Sequence, residues 1–329
     1  MSVSDPVVSR NAVGVSTPTA SGRQGDAKKP ARKGNHFRTS RQLTFLSDVT
    51  MVTPAVLAVT AFVVAPVIYC FYLSMTSWNG FSAVQWVGFA NYTKLFRDAE
   101  FLGSIKYTAL VAVIGTAGFN AFGLASALLL NRNTLINRIF RFIIFYPYVM
   151  GAIVLGFLWA TILGTNGIVN SVLQSAGAGN VPFIAQPAWA RWTVIIVIIW
   201  ASFGFHALLY LTGLQTIDQS LIEAAVVDGA SPWRIFWRIK LPVIAPTVTL
   251  NITLALIGTV KVYEWILTLT NGGPAGATRS VTFEILSVSL NNSQLGYGSA
   301  QSIVLMIAII ALTVAVIQSR RKSEMDVTA

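Results

Sequence analysis

Six long apolar stretches dominate this sequence: about Met51–Met75, Tyr107–Leu130, Ile139–Leu163, Trp192–Leu214, Val243–Leu269 and Ser299–Ile317. Each is close to the roughly 20 residues that a helix needs to cross about 30 Å of hydrocarbon. Inside lipid every backbone N–H and C=O must find a partner within the protein, which leaves helices and closed barrels as spanning structures. These runs are continuously apolar and too long for the alternating strands of a barrel. The expected fold class is therefore an all-α integral membrane protein with six transmembrane helices. Composition agrees: 11% of residues are charged, against about a quarter in a soluble domain.

The formal net charge is +11, which by itself would also suit a nucleic-acid partner. Its distribution argues against one. Arg10, Arg23, Lys28, Lys29, Arg32, Lys33, Arg38 and Arg41 precede the first span, and Arg320, Arg321 and Lys322 follow the last. Arg132 and Arg138 mark the second connection, and Arg234, Arg238 and Lys240 the fourth. This positive-inside pattern places both termini and the second and fourth connections in the cytoplasm. Residues 1–43 lack the apolar groups to fold alone and read as a disordered basic cytoplasmic tail. Residues 44–320 read as the transmembrane domain, and 321–329 as a short cytoplasmic tail. Cys70 is the single cysteine and reads as a small hydrophobe. No metal site is expected. Pro147 is expected to kink the third span.

The fourth connection is the least ordinary part of the chain. "LIEAAVVDGASPWRIFWRIKLP" (Leu221–Pro242) sets mixed charges and two tryptophans between apolar runs. Ser220 and Glu223 match a capping box, with Asp218 as a competing cap, so a short helix is expected to about Val227. Gly229 is the expected breaker, able to take the left-handed conformation. Ser231 and Pro232 restart a helix. Trp233, Phe236 and Trp237 give it an apolar face. Physics leaves two roles open: an interfacial anchor, or a docking knuckle built on the small residues Ala224, Ala225, Gly229 and Ala230.

"EAAVVDGASPWRIFWRIKLPVIAP" resembles the EAA signature of permease subunits in ATP-binding-cassette importers, with Gly229 six positions after Glu223. "WVGFANYTKLF" (Trp86–Phe96), "FYPYVMGAIVLGFLWATILGTNGIVN" (Phe145–Asn170), "FGFHALLYLTGLQTIDQSLIEAA" and "WILTLTNGGPAGATRS" (Trp265–Ser280) are similar to further segments of that family, in the same order. The likeness covers roughly residues 45–320 and is closest to the first of two paired permeases, the maltose-importer F type. Asp218 stands where the family usually has proline, and the large external insertion of the enterobacterial maltose protein is absent.

The resemblance implies a type I importer permease fold in a bacterial cytoplasmic membrane. It implies a second, homologous permease, two ATPase subunits that carry ATP and Mg, and an external solute-binding protein. The cargo it implies is a sugar, oligosaccharide or related polyol. Glu223, Ala224, Ala225, Asp228, Gly229 and Ala230 would form the coupling helix, within a coupling region of about 218–242. Asn271, Gly272, Gly273 and Pro274 would shape the external mouth and meet the binding protein.

Polar groups inside spans require a partner or a pathway. The candidates for a substrate pathway are Asn120, His206, Tyr210, Asn251, Lys261, Tyr263 and Glu264. Lys261 and Glu264 are three apart, so mutual pairing on one helix face is the structural alternative. The chain has no "GxxxxGK[ST]" phosphate loop and no catalytic constellation, so it is expected to be no enzyme and to bind no cofactor. The competing functions are a secondary transporter or channel, which would need coupling-ion or filter signals, and a membrane scaffold.

Overall fold

The computed structural model describes residues 50–328, with side chains through Arg320. The expected tail of residues 1–43 lies outside the described residues. The chain forms two units, one ending at Thr60 and one beginning at Ala61; the contacts below belong to the second.

Among the described residues five helices are long and apolar enough to cross a membrane: Thr50–Ser74, Ala99–Leu129, Ala152–Ser175, Pro187–Gln215 and Leu295–Arg320. The pair Pro232–Val243 and Ala245–Val260, bent by 71°, passes the same test only when taken together, which makes five to six spans. The fold is thus all-α and multi-pass. Ala99–Leu129 starts earlier than expected because Asp98 caps it, accepting from the Glu100 and Phe101 amides at 2.9 and 3.2 Å.

Two expected spans are interrupted, and each interruption has a cause. The third divides into Leu135–Met150 and Ala152–Leu163. The break is at Gly151, with φ 80° and ψ 150°. It is not at Pro147, which lies inside the first of these helices; a residue without Cβ takes a positive φ that other residues avoid. The fifth ends at Val260 and restarts at Glu264, so Val243–Leu269 is not one helix.

Ala99–Leu129 packs most extensively against Pro187–Gln215. Their contact, joined by Ala245–Val260, holds the largest buried cluster, including Tyr107, Val111, Phe119, Val194, Ile198 and Ala255. In lipid the drive to associate is close packing and not water release, so small residues decide where helices meet. Gly204 is one such point: a methyl there would overlap the Ile144 carbonyl oxygen of Leu135–Met150. Gly258, by contrast, faces open space. Gly204→Ala is therefore expected to cost about 1–3 kcal/mol of packing and to lower the melting temperature of the detergent-purified chain by several degrees. Gly258→Ala should leave it unchanged.

Candidate functional site

The fourth connection folds as a stiff, exposed unit. The helix Gln219–Val227 is capped by Asp218, whose carboxylate accepts from the Ser220 amide at 2.9 Å. This corrects the expected capping box: the cap is Asp218 and not Ser220. Hydrogen bonds from Ser220 hold the exposed Asp218 carboxyl below its ordinary pKa. Gly229 takes φ +77°. Its N–H donates to Val226 and that of Ala230 to Ala225, at 3.0 and 2.9 Å, closing the helix with a reciprocal pair of bonds. Ser231 caps the next helix through the Arg234 amide at 3.3 Å.

No residue of Gln219–Val227 is buried. Leu221, Val226 and Val227 stand exposed, the last at 87%. The second helix buries Ile235, while Trp233 and Trp237 remain exposed and meet each other and Phe236 edge-on or tilted in a ring cluster. The helix passes through Pro242 and bends at Ile244, with widened turns at Phe236–Lys240 just before the proline. A residue lacking an N–H, whose ring crowds the preceding turn, explains that widening.

The polar groups inside the spans divide into two classes. Tyr210 donates to Asn120 Oδ1 at 2.6 Å, and Asn120 donates to the Thr116 carbonyl at 2.7 Å. His206 Nδ1 meets Asn251 Oδ1 at 2.8 Å. Asn251 Nδ2 donates to the Thr247 carbonyl at 3.3 Å, so its oxygen accepts and His206 Nδ1 carries the proton. These pairs clamp helices together. Lys261 and Glu264 behave differently. They are exposed, lie on either side of the helix break, and form no ion pair. The structural alternative, mutual pairing on one helix face, is not formed, because the helix breaks between the two residues. Lys261 ends one helix and Glu264 begins the next, each where the backbone partial charge favours its sign. Both line a cavity of about 180 Å³ with His206, Ser202, Tyr148 and Trp265. Tyr263 points elsewhere and packs on Phe283 at 6.1 Å.

At the opposite end from the knuckle, Asn271–Pro274 folds as a tight turn, with Asn271 and Gly272 at φ 50° and 77°. Thr278 donates to the Gly273 carbonyl at 2.7 Å and shares a 2.7 Å contact with Thr270. Beside it, Arg279 bridges Glu100 and Glu284 at 3.0 and 3.2 Å. Burial holds the Glu284 carboxyl above its ordinary pKa, although Arg279 opposes the shift. Sequence reasoning missed this bridge because Glu100 lies 179 positions from Arg279.

A family model of binding-protein-dependent transport system inner membrane components matches residues 119–321. The chain belongs to that family. It is 31% identical over 264 residues to the sulfoquinovosyl glycerol transport system permease protein of Agrobacterium fabrum, covering 79% of this chain and 85% of that one. It is 30% identical over 266 residues to the trehalose/maltose transport system permease protein of Thermococcus litoralis, covering 80% and 90%. The fold also matches the crystal structure of a bacterial ABC transporter involved in the import of the acidic polysaccharide alginate. There the TM-score is 0.76 at 24% identity, over 88% of this chain and 99% of that one. The chain is thus a multi-pass permease subunit of a bacterial inner-membrane ABC importer and carries no catalytic chemistry of its own. Among the described residues no cluster of metal ligands occurs.

Two outcomes follow. Tyr210→Phe leaves Asn120 Oδ1 without its donor and should lower stability by about 0.5–1.5 kcal/mol, read as earlier thermal aggregation in detergent. Asp98 also accepts from Tyr297 at 2.6 Å. Burial raises its pKa, but Tyr297, the Phe101 and Glu100 amides and Lys94 together hold it below 3.8. Its contribution is complete above that unfolded value and is lost as pH falls through the lower folded one. Asp98→Asn should destabilise the chain at pH 7, and the difference from wild type should shrink in thermal melts taken below about pH 4.

Proposed function

We propose that this chain forms half of the translocation pathway for a sugar, oligosaccharide or related polyol delivered by an external solute-binding protein. A second, homologous permease completes the pathway, and two ATPase subunits carrying ATP and Mg dock beneath it. The observation that carries the reading is the exposed knuckle Asp218–Ala230. It is capped at one end, closed by Gly229 at the other, and presents Glu223, Ala224, Ala225 and Asp228 with no burial of its own helix. A helix held at both ends transmits displacement that a loose loop would absorb. The sugar class is supported by relatives named for trehalose/maltose, lactose and starch degradation products.

On this reading the EAA signature is the coupling region within a permease domain of residues 44–320, and the chain is the F-type partner of the pair. Both termini and the knuckle face the cytoplasm, in line with the charge bias of the connections. The cavity that holds His206, Lys261 and Glu264 is the cargo-facing part of this half, and Asn271–Pro274 the rim that meets the binding protein.

Gly229→Ala tests the coupling role. Open space surrounds the position, so the added methyl meets no neighbour and the cost is the left-handed backbone alone, about 1–2 kcal/mol. ATP-driven uptake by the assembled importer should fall by about tenfold, with membrane insertion intact. Gly229→Asn, which tolerates that backbone, should recover most of it. Glu223→Ala should separate ATP hydrolysis from uptake. Normal uptake and normal ATPase affinity in all three variants would overturn the proposal.

A further inference from the structure

A large cavity lies away from the residues discussed so far as pathway. It measures about 860 Å³ and opens between the starts of Ala99–Leu129 and Pro187–Gln215 and the segment that follows the Asn271–Pro274 turn. Its charged lining is Lys106, Arg191, Arg279 and Glu100. Ala99–Leu129, with 31 residues, is about 46 Å long, more than the roughly 30 Å hydrocarbon layer requires.

The cations are not equivalent. Arg279 is spent on Glu100 and Glu284. Arg191 uses Nε on the Ala277 carbonyl at 3.1 Å, which fixes the guanidinium at the wall and leaves its terminal nitrogens free. Lys106 has neither an ion pair nor a side-chain hydrogen bond among the described residues. By contrast, Lys94 nearby is satisfied by Gln294 at 3.1 Å and by the Tyr297 ring at 4.1 Å. The helix starting at Pro187 has no side-chain cap, so its first amides add partial positive charge at the same rim. A concave site with one sign of charge in excess concentrates ions of the other sign. Its size suits a sugar of one to a few rings.

We infer that this outer basin is an anion-binding site that takes the acid group of an acidic sugar, with Lys106 and Arg191 as its donors. The inference rests on the importer reading and deepens it: cargo entering from outside meets the basin before the cavity of Lys261 and Glu264. Arg191 offers a planar fork to a carboxylate, and Lys106 a mobile point charge.

The test uses the complete importer in nanodiscs, with digalacturonic acid and maltose as probes in equilibrium dialysis. Retention of the acid probe should exceed that of maltose by about tenfold at low salt, and the ratio should fall toward one as salt screens the site. Lys106→Ala combined with Arg191→Ala should bring the ratio to about one at low salt. Lys106→Arg combined with Arg191→Lys, which keeps both charges in a folded chain, should preserve most of it. A ratio near one in the wild type, or one unmoved by the alanine pair, overturns the inference. So does weaker capture of the external binding protein at an unchanged ratio, which would make the basin a docking surface. With the same importer in proteoliposomes, ATP-driven accumulation of neutral sugar with no acid preference would sink only this inference. Absence of any ATP-driven sugar accumulation would sink the importer reading.

Discussion

Wherever the helical ladder of a membrane-embedded chain is interrupted, the freed backbone groups must find new partners or open onto a cavity. The rest of this structure depends on that constraint. Among the described residues the interruptions within spans include Gly151, Gly164–Gly167, Ile244 and Lys261–Tyr263. Gly151 redirects the chain where Leu135–Met150 meets Gly204. Ile244 turns the chain by 71° between the knuckle and the fifth span. Lys261–Tyr263 opens onto the cavity that also holds His206. Breaks thus occur where the chain must change direction or face something other than its own helices.

The same constraint separates two kinds of polar residue. Asn120 with Tyr210, and His206 with Asn251, satisfy each other across helices and tie Pro187–Gln215 to its two neighbours. In lipid such a bond is worth only about 0.6–2 kcal/mol, but it fixes register where apolar packing alone would allow sliding. Lys261 and Glu264 have no such mutual bond, and their charges remain open to the cavity.

The two ends of the bundle carry different physics. The knuckle end holds a rigid helix stripped of buried contacts, with Leu221, Val226 and Val227 exposed. A surface of that kind suits a protein partner better than water. The other end is knitted by long-range ionic and hydrogen bonds, Arg279 to Glu100 and Tyr297 to Asp98, which hold separate helices at fixed spacing around the rim.

The sequence by itself determined the class and order of this chain. Continuous apolar runs of span length can only be helices in lipid. The motif around Glu223 and Gly229 identified the knuckle, because a cap, a short helix and a left-handed glycine are local events. Only the tertiary structure decided where the spans break, which polar residues face one another and which remain open. Pro147 looked like the kink, yet Gly151 is the break, since a proline is tolerated when neighbouring structure accommodates it. Lys261 and Glu264 looked like a helical pair, yet the backbone turns between them. Arg279 finds Glu100 across 179 positions, a contact that no local spacing encodes, because it forms only when two helices and a loop have been brought to the same rim.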